Sequence, residues 1–441
     1  MAEYDPPAAK VDVPGRPGRR RKGRKGKPCP PTAGTAKAKA RPPGGALAQE
    51  AGIAPRDDSD SSHATPASLG SAGQEPARQE PAGLEPQRQG SPRQSYAAID
   101  LGTNNCRLLI ARPSGENFTV IDAFSRVVRL GEGLAQSGRL SDAAMERTLA
   151  ALRVCADKLM RRNVYLARSV ATEACRRAEN GPEFIERVRR ETGIALDIIS
   201  AREEARLAVL GCHILLEQGP GPAMIFDIGG GSTELVLIES TDTVPRILDW
   251  QSVPWGVVSL TETCGPEGDS REERLARYRH MHGLVSESFA AFSKRVTSAR
   301  DGAGHQGLLR LLGTSGTVTT LASLHLELPQ YDRRVVDGLI VPADSMRGIS
   351  LRLSTMTIDE RRELNCIGRE RADLVVAGCA ILEAILDLWP AARLGVADRG
   401  IREGILRSLI ASHRSGPRHG EARGRDTRAV SESVRKAMAL R

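Results

Sequence analysis

The chain predicts an α/β fold, and two features of its sequence carry that reading. The first is the order of apolar segments from Tyr96 onward, strand, strand, strand, helix, strand, helix, which is the order of an α/β lobe built on a mixed sheet. The second is a pair of glycine-bearing hairpins. Residues 96–110 read YAAIDLGTNNCRLLI and residues 223–237 read AMIFDIGGGSTELVL, each an apolar strand ending in Asp, a turn of small and polar residues, and a second apolar strand. Asp100 and Asp227 thus place a carboxylate at a strand tip, beside backbone that has no Cβ to block a ligand. Successive glycine N–H groups can converge on an anion, Ser232 and Thr233 add hydroxyl donors, and Asp227 can hold a cation or a water that offsets the charge. A plain glycine-rich turn also fits either hairpin alone. Two copies facing one cleft make a two-sided phosphate clamp.

The remaining elements follow in order. Residues 118–130 read as a strand broken by Gly131-Glu132-Gly133, and residues 141–162 space apolar side chains at helical intervals and end in basic residues, as a helix C-terminus prefers. A strand at 164–171 leads into ATEACRRAEN, followed by a helix at 182–192 and a short strand at 195–199. In SAREEARLAVLGCHILLEQ, Ser200 and Glu203 have the spacing of a capping box, which leaves Glu204 on the first helical turn to point into a cleft. Beyond the second hairpin come a strand at 245–253 and a long polar-faced helix at 271–300. Residues 308–322 form a strand that breaks at Gly313 and starts a helix, with Ser315, Gly316 and Thr317 at the helix N-terminus, where free N–H groups and the dipole favour an anion. An ordinary strand-turn-helix join would look much the same. Helices at 343–354, 358–366 and 371–388, a strand at 393–397 and an amphipathic helix at 398–410 complete the ordered part, the last able to pack back on the first lobe.

Length and charge bound the class. A chain of 441 residues has room for about two to three domains. Its eight cysteines include no CxxC pair and no Cys/His cluster, which argues against a disulfide framework or zinc site and for a reducing compartment. The best apolar run, residues 375–389, carries Glu383 and Asp387, and the first ten residues lack an apolar segment behind a basic one. The expectation is a soluble, cytoplasmic protein with no membrane contact. The net charge of +9 is concentrated: residues 16–27 hold eight basic residues in twelve positions. Residues 1–94, dominated by Pro, Gly, Ala, Ser, Gln and Arg, read as a disordered basic tail, since they cannot offset an ordering entropy of roughly 1–2 kcal/mol per residue. The basic run suits a polyanion contact, but with no aromatic interleaved to stack on bases it equally fits a solvated tail. Residues 415–441 form a shorter tail of the same kind.

The loops DLGTN, DIGGGST and GTSGT, taken in order with ATEACRRAEN and SAREEA, resemble the exopolyphosphatase and guanosine pentaphosphate phosphatase family, within the superfamily of actin, sugar kinases and heat-shock chaperone ATPases. The resemblance covers about residues 96–413, in the short form that lacks extra C-terminal helical domains. It implies two ribonuclease-H-like lobes with an interlobe cleft, residues 95–171 with 398–414 as the first lobe and 172–397 as the second. The separation of Asp100 and Asp227 by 127 residues is what an internal duplication would leave. A homodimer is the expected assembly.

By position, the resemblance assigns phosphate binding to Gly102, Thr103, Asn104 and Asn105 from one side and to Gly229, Gly230, Gly231, Ser232 and Thr233 from the other, with Gly313, Ser315 and Gly316 of the third loop beside them. Glu173 of ATEA is placed as the general base that orients or deprotonates water, and Glu204 as a second acidic group serving the metal or the water. Asp100, Asp227 and Glu204 are the candidate partners of a Mg²⁺ ion. Arg129 and Arg107 are candidate phosphate clamps, or else surface ion pairs. Arg202 stands where some relatives have a carboxylate or amide. The implied activity is Mg²⁺-dependent release of terminal phosphate from inorganic polyphosphate, with guanosine pentaphosphate as the second candidate substrate. A sugar or acetate kinase would share the Asp-Gly loops, and a non-enzymatic polyanion binder would need only the tail. The glutamate of ATEA favours hydrolysis, and no GxxxxGK[ST] stretch supports a P-loop enzyme.

Overall fold

A computed structural model describes residues 94–415, apart from 116, 240–244 and 303–307. The expected tails at 1–94 and 415–441, and any polyanion contact made by the first, lie outside the described residues save at their inner edges. The first half of the described chain comprises β1 (Ser95–Leu101), β2 (Asn105–Ser114), β3 (Asn117–Val127), α1 (Leu134–Ser137), α2 (Asp142–Arg161), β4 (Val164–Ala171), α3 (Glu173–Arg177), α4 (Gly181–Thr192) and β5 (Leu196–Ile198). There follow α5 (Ala201–Cys212), β6 (Pro222–Ile228), β7 (Thr233–Glu239), β8 (Arg246–Val253), α6 (Val257–Thr263), α7 (Arg271–Gly302), β9 (Arg310–Thr314), α8 (Gly316–His325) and α9 (Arg333–Val336). The chain closes with β10 (Ile340–Pro342), α10 (Ala343–Thr355), α11 (Ile358–Arg362), α12 (Val375–Leu388), β11 (Arg393–Ala397) and α13 (Ile401–Ser415).

The strands form two sheets, ordered β3-β2-β1-β4-β5 and β8-β7-β6-β9-β11-β10. In both, three antiparallel strands are followed by parallel neighbours, the ribonuclease-H-like arrangement, and β10 adds an antiparallel edge to the second. The duplication extends to register. Asp100 lies opposite Arg107 in β1–β2, and Asp227 lies opposite Glu234 in β6–β7. Each turn closes with the same bond, from Gly102 N–H to the Asn105 carbonyl at 2.9 Å and from Gly229 N–H to the Ser232 carbonyl at 3.0 Å.

Several elements differ from the sequence reading. The first sheet does not end at residue 171. β5 pairs in parallel with β4, and the crossover between parallel strands must be a helical segment, here α3 and α4, whose Ala174, Cys175, Phe184 and Val188 lie in the first sheet's core. β5, which lies beyond the expected boundary at 172, thus pairs within the first sheet. β10 was not foreseen: three residues ending in Pro carry no alternation to read. α12 begins at Val375 rather than residue 371, because 368–374 are turns. Ser200 does cap α5, accepting from the Glu203 N–H at 3.2 Å, but the Glu203 carboxylate is held by Arg206 at 2.7 Å and Arg168 at 3.0 Å, so the capping box is half made.

α13 returns to the first sheet, packing Ile405, Leu406 and Leu409 against Tyr96, Ala98 and Leu109. It crosses α5 almost backbone to backbone. A Cβ on Gly211 would lie 1.9 Å from the Gly400 carbonyl oxygen, and one on Gly404 would lie 2.0 Å from that of Leu207, so only glycine permits the crossing. No helix among the described residues is long and apolar enough to cross a membrane.

Candidate active site

The two Asp-Gly turns meet at the seam between the sheets. A Cβ added to Gly230 would fall 2.9 Å from Thr103 Cβ, and one on Gly231 would fall 2.7 Å from Thr103 Oγ1 and 2.8 Å from Glu173 Cγ. The two turns are therefore in contact, the second also with Glu173, and this contact forms the wall of a cleft. Asp100, Gly102, Thr103, Asn104, Asn105, Glu173, Glu204, Asp227, Gly229, Gly230, Gly231, Ser232, Ser315 and Gly316 all line it.

Three expected phosphate contacts do not. Thr233 is buried in β7 and its hydroxyl donates to the Trp255 carbonyl at 2.6 Å. Gly313 makes room for core packing, since a Cβ there would meet Phe226 Cζ at 2.6 Å and Val318 Cγ2 at 2.9 Å. Arg129 forms the ion pair that was its alternative reading, with Nη1 3.2 Å from Asp373 Oδ2 and Nη2 donating to the Glu370 carbonyl at 2.9 Å across the lobes.

The cleft floor is acidic. Glu204, 7% exposed, accepts from Arg176 Nη1 at 3.0 Å, and Arg176 Nη2 donates to Glu173 Oε2 at 2.6 Å, so one guanidinium joins the two glutamates. Burial pushes the Glu204 carboxyl well above its ordinary range, and the nearby Glu234 pushes it further against the pull of Arg176. Glu234, 2% exposed, is raised to about 7 by burial and by Asp227, although Ser232 and Ser252 donate to it at 2.7 and 2.9 Å. Asp227 is raised to about 6 and Asp100 also upward, in both cases first by burial; the positive charge of Arg107 opposes both shifts.

Glu234, Arg176 and Arg371 are lining or supporting groups that sequence reasoning did not single out. Glu234 had a signal, because it stands seven residues after Asp227 as Arg107 stands after Asp100. Arg371 had none: it sits in the turns before α12, buried enough to depress its pKa, with Arg107 depressing it further. Its Nη1 lies 3.0 Å from the position a Gly316 Cβ would take, over the N-terminus of α8. Neither Arg107 nor Arg371 makes a side-chain hydrogen bond or an ion pair within 4 Å among the described residues. Ser315, just before α8, has φ 94° and ψ −179°, a region almost reserved for glycine, and its hydroxyl donates to the Ile228 carbonyl at 2.7 Å. That strain fastens the α8 N-terminus to the tip of β6.

The donors suit a hard cation. Asp100 and Asp227 face the cleft from the two hairpins without accepting a side-chain hydrogen bond among the described residues, and Asn104 Oδ1 and Asn105 Oδ1 are buried with no partner. No group of three ready-made His, Cys, Asp or Glu ligands occurs among the described residues. Mg²⁺ commonly needs only one or two carboxylates, the rest of its shell being water and substrate phosphate oxygens. A stability measurement checks this fit. A buried carboxyl held at about 6 keeps its proton in the folded state while the unfolded chain, at 3.8, has lost it, so stability falls as pH rises from about 4 through 6 and then levels. At pH 8 without divalent cation, Asp227→Asn is expected to be more stable than the parent by up to about 3 kcal/mol. Added MgCl₂ should raise the parent's melting temperature and close that gap; an unchanged gap would exclude Asp227 as a ligand.

Two ribonuclease-H-like sheets whose glycine turns meet at their seam give the molecule an actin-like fold. The model of the Ppx/GppA phosphatase family matches residues 109–413. The chain belongs to that family, whose members are hydrolases of phosphoanhydrides. It is 32% identical over 328 residues to exopolyphosphatase 2 of Mycobacterium tuberculosis, covering 71% of this chain and 98% of that one. It is 29% identical over 318 residues to guanosine-5'-triphosphate,3'-diphosphate pyrophosphatase of Aeromonas salmonicida, covering 72% of this chain but only 60% of that longer protein. The crystal structure of the Aquifex aeolicus family member superposes with a TM-score of 0.58 at 28% identity, covering 73% of this chain and 99% of that one.

Proposed function

We propose that the protein is an exopolyphosphatase, a Mg²⁺-dependent enzyme that hydrolyses the terminal phosphoanhydride of inorganic polyphosphate. The observation that carries this reading is the contact of the two glycine turns with each other, and of the second with Glu173, beside a buried Glu204, in one cleft. The turns' N–H groups, the α8 N-terminus and the unpaired Arg107 and Arg371 bind phosphoryl oxygens from opposite lobes. A bound Mg²⁺, held by Asp100 and Asp227, would neutralise charge on those oxygens. Glu204 and Glu173, held by Arg176, orient the attacking water. The water oxygen bonds to the terminal phosphorus, the bridging P–O bond breaks, and the bridging oxygen leaves on the shortened chain. The proton passes to a glutamate. Burial raises the Glu204 carboxyl and makes it a stronger proton acceptor, so Glu204 takes the proton and Glu173 aligns the water.

Guanosine pentaphosphate is the second reading, favoured by the apolar side of the cleft, where Val257, Ile367, Leu374 and Val375 could hold a base. The likeness to the exopolyphosphatase relative, 32% identical across 98% of that protein, supports the first reading. Phosphate release from long polyphosphate and from guanosine pentaphosphate, with and without MgCl₂, tests both. We expect at least tenfold higher kcat/KM on polyphosphate and loss of turnover in EDTA; the reverse preference would replace the first substrate with the second.

A further inference from the structure

A second, smaller chamber lies behind the two aspartates. It shares Asp100, Arg107, Asp227, Ser315 and Ile401 with the cleft; its far wall is the bend at residues 398–400 and the first two residues of α13, and none of the cleft's residues 367–375 line it. All five far-wall residues are partly exposed, which puts this side of the chamber at the protein surface around the start of α13.

The charges in this wall are unequal. Arg399 is neutralised by Asp337 at 2.7 Å, and Asp398 is taken by Arg333 at 3.1 Å. Arg402 makes no side-chain hydrogen bond and no ion pair within 4 Å among the described residues, and neither does Arg107 opposite. Two guanidiniums with no hydrogen-bonded partner suit an anion; their charge is shared with nearby carboxylates, Arg107 acting on Asp100 and Asp227 and Arg402 on Asp100 and Glu403. A phosphate chain with its end against the glycine turns fills the route by which it entered. The orthophosphate formed at that inner end then waits for the chain to leave, unless a second opening exists.

We propose that the chamber is an orthophosphate site and exit, with Arg402 as its anion-binding residue, through which product leaves while the shortened chain stays in the cleft. The proposal rests on the phosphoanhydride hydrolysis above and needs no co-reactant beyond water.

The test compares the full chain with Arg402→Gln and Arg402→Lys on long polyphosphate. Rapid quench follows cleavage, a fluorescent phosphate sensor follows release, and added orthophosphate gives product inhibition. In Arg402→Gln, first-turnover cleavage should be unchanged, release should slow and inhibition by orthophosphate weaken, each by about tenfold, with Lys restoring most of both. Unchanged release and inhibition would overturn the proposal, as would an equal loss of cleavage and melting temperature that Lys does not restore. If the parent cleaves no polyphosphate, the functional reading fails separately. Calorimetric titration of orthophosphate then decides the chamber: Arg402-dependent binding supports it, and Arg402-independent binding or none overturns it.

Discussion

Glu204→Gln is expected to lower the rate of phosphate release from polyphosphate by roughly 10³-fold at pH 8 while the protein stays folded, because a positioned general base contributes about 10²–10⁴-fold. The amide keeps the acceptor for Arg176, now at 3.0 Å from the carboxylate, so Glu173 remains held. It loses only the capacity to take a proton. Folding should be unharmed or improved, since a carboxyl raised this far by burial destabilises the native state once ionised. The pH profile is the sharper readout. With Glu204 as base, the parent's kcat rises with pH as this carboxyl ionises, and that limb should vanish in the variant. Glu173→Gln is expected to be nearly inactive too, through loss of alignment, but its residual activity should keep the limb. Retention of the limb in Glu204→Gln, and its loss in Glu173→Gln, would exchange the two roles.

Gly256→Ala is expected to lower kcat by at least about 10²-fold and to cost about 1–3 kcal/mol of stability, although residue 256 touches no substrate. Its φ of −117° and ψ of 178° are open to any residue, so the need for glycine is spatial. A Cβ there would lie 2.3 Å from the Gly230 carbonyl carbon, 2.4 Å from its oxygen and 2.5 Å from the Gly231 nitrogen. Those are backbone atoms of the phosphate turn and cannot rotate aside. The same residue starts α6, whose Val257 and Val258 N–H groups donate to the Gly229 and Gly230 carbonyls at 3.0 and 2.8 Å. With the turn's carbonyls held on that side, its N–H groups are left for the cleft. Gly283→Ala in the middle of α7, where a Cβ meets nothing within 4 Å, is the control and should leave kcat unchanged. Wild-type turnover by Gly256→Ala would show that the Gly230 turn does not position the substrate.

The fold was largely legible because its periodicities are strong: β4 and β11 fall where the apolar runs place them, and Ser141 caps α2 with its hydroxyl 3.3 Å from the Ala144 nitrogen. The hairpin turns were legible because glycine next to a strand-tip carboxylate has few structural uses. What escaped depended on distance across the chain. Arg176 is informative only once Glu173 and Glu204, three and 28 positions away, are seen on either side of it. Arg371 and Gly256 carry no local pattern, and their roles come from turns packed against loops of other elements. Thr233 and Gly313 belong to motifs whose other residues line the cleft, yet they fall in β7 and β9, where alternation along the strand and the bulk of Phe226 turn them inward. Residue type identified the loops; only packing sorted their members.

The glycine crossing of α5 and α13 has a mechanical consequence. Backbone meets backbone at two points, Gly211 against Gly400 and Gly404 against Leu207, so the two helices can neither slide nor turn on one another without separating. Glu204 at the start of α5 and Arg402 at the start of α13 are therefore mounted on one rigid pair of rods.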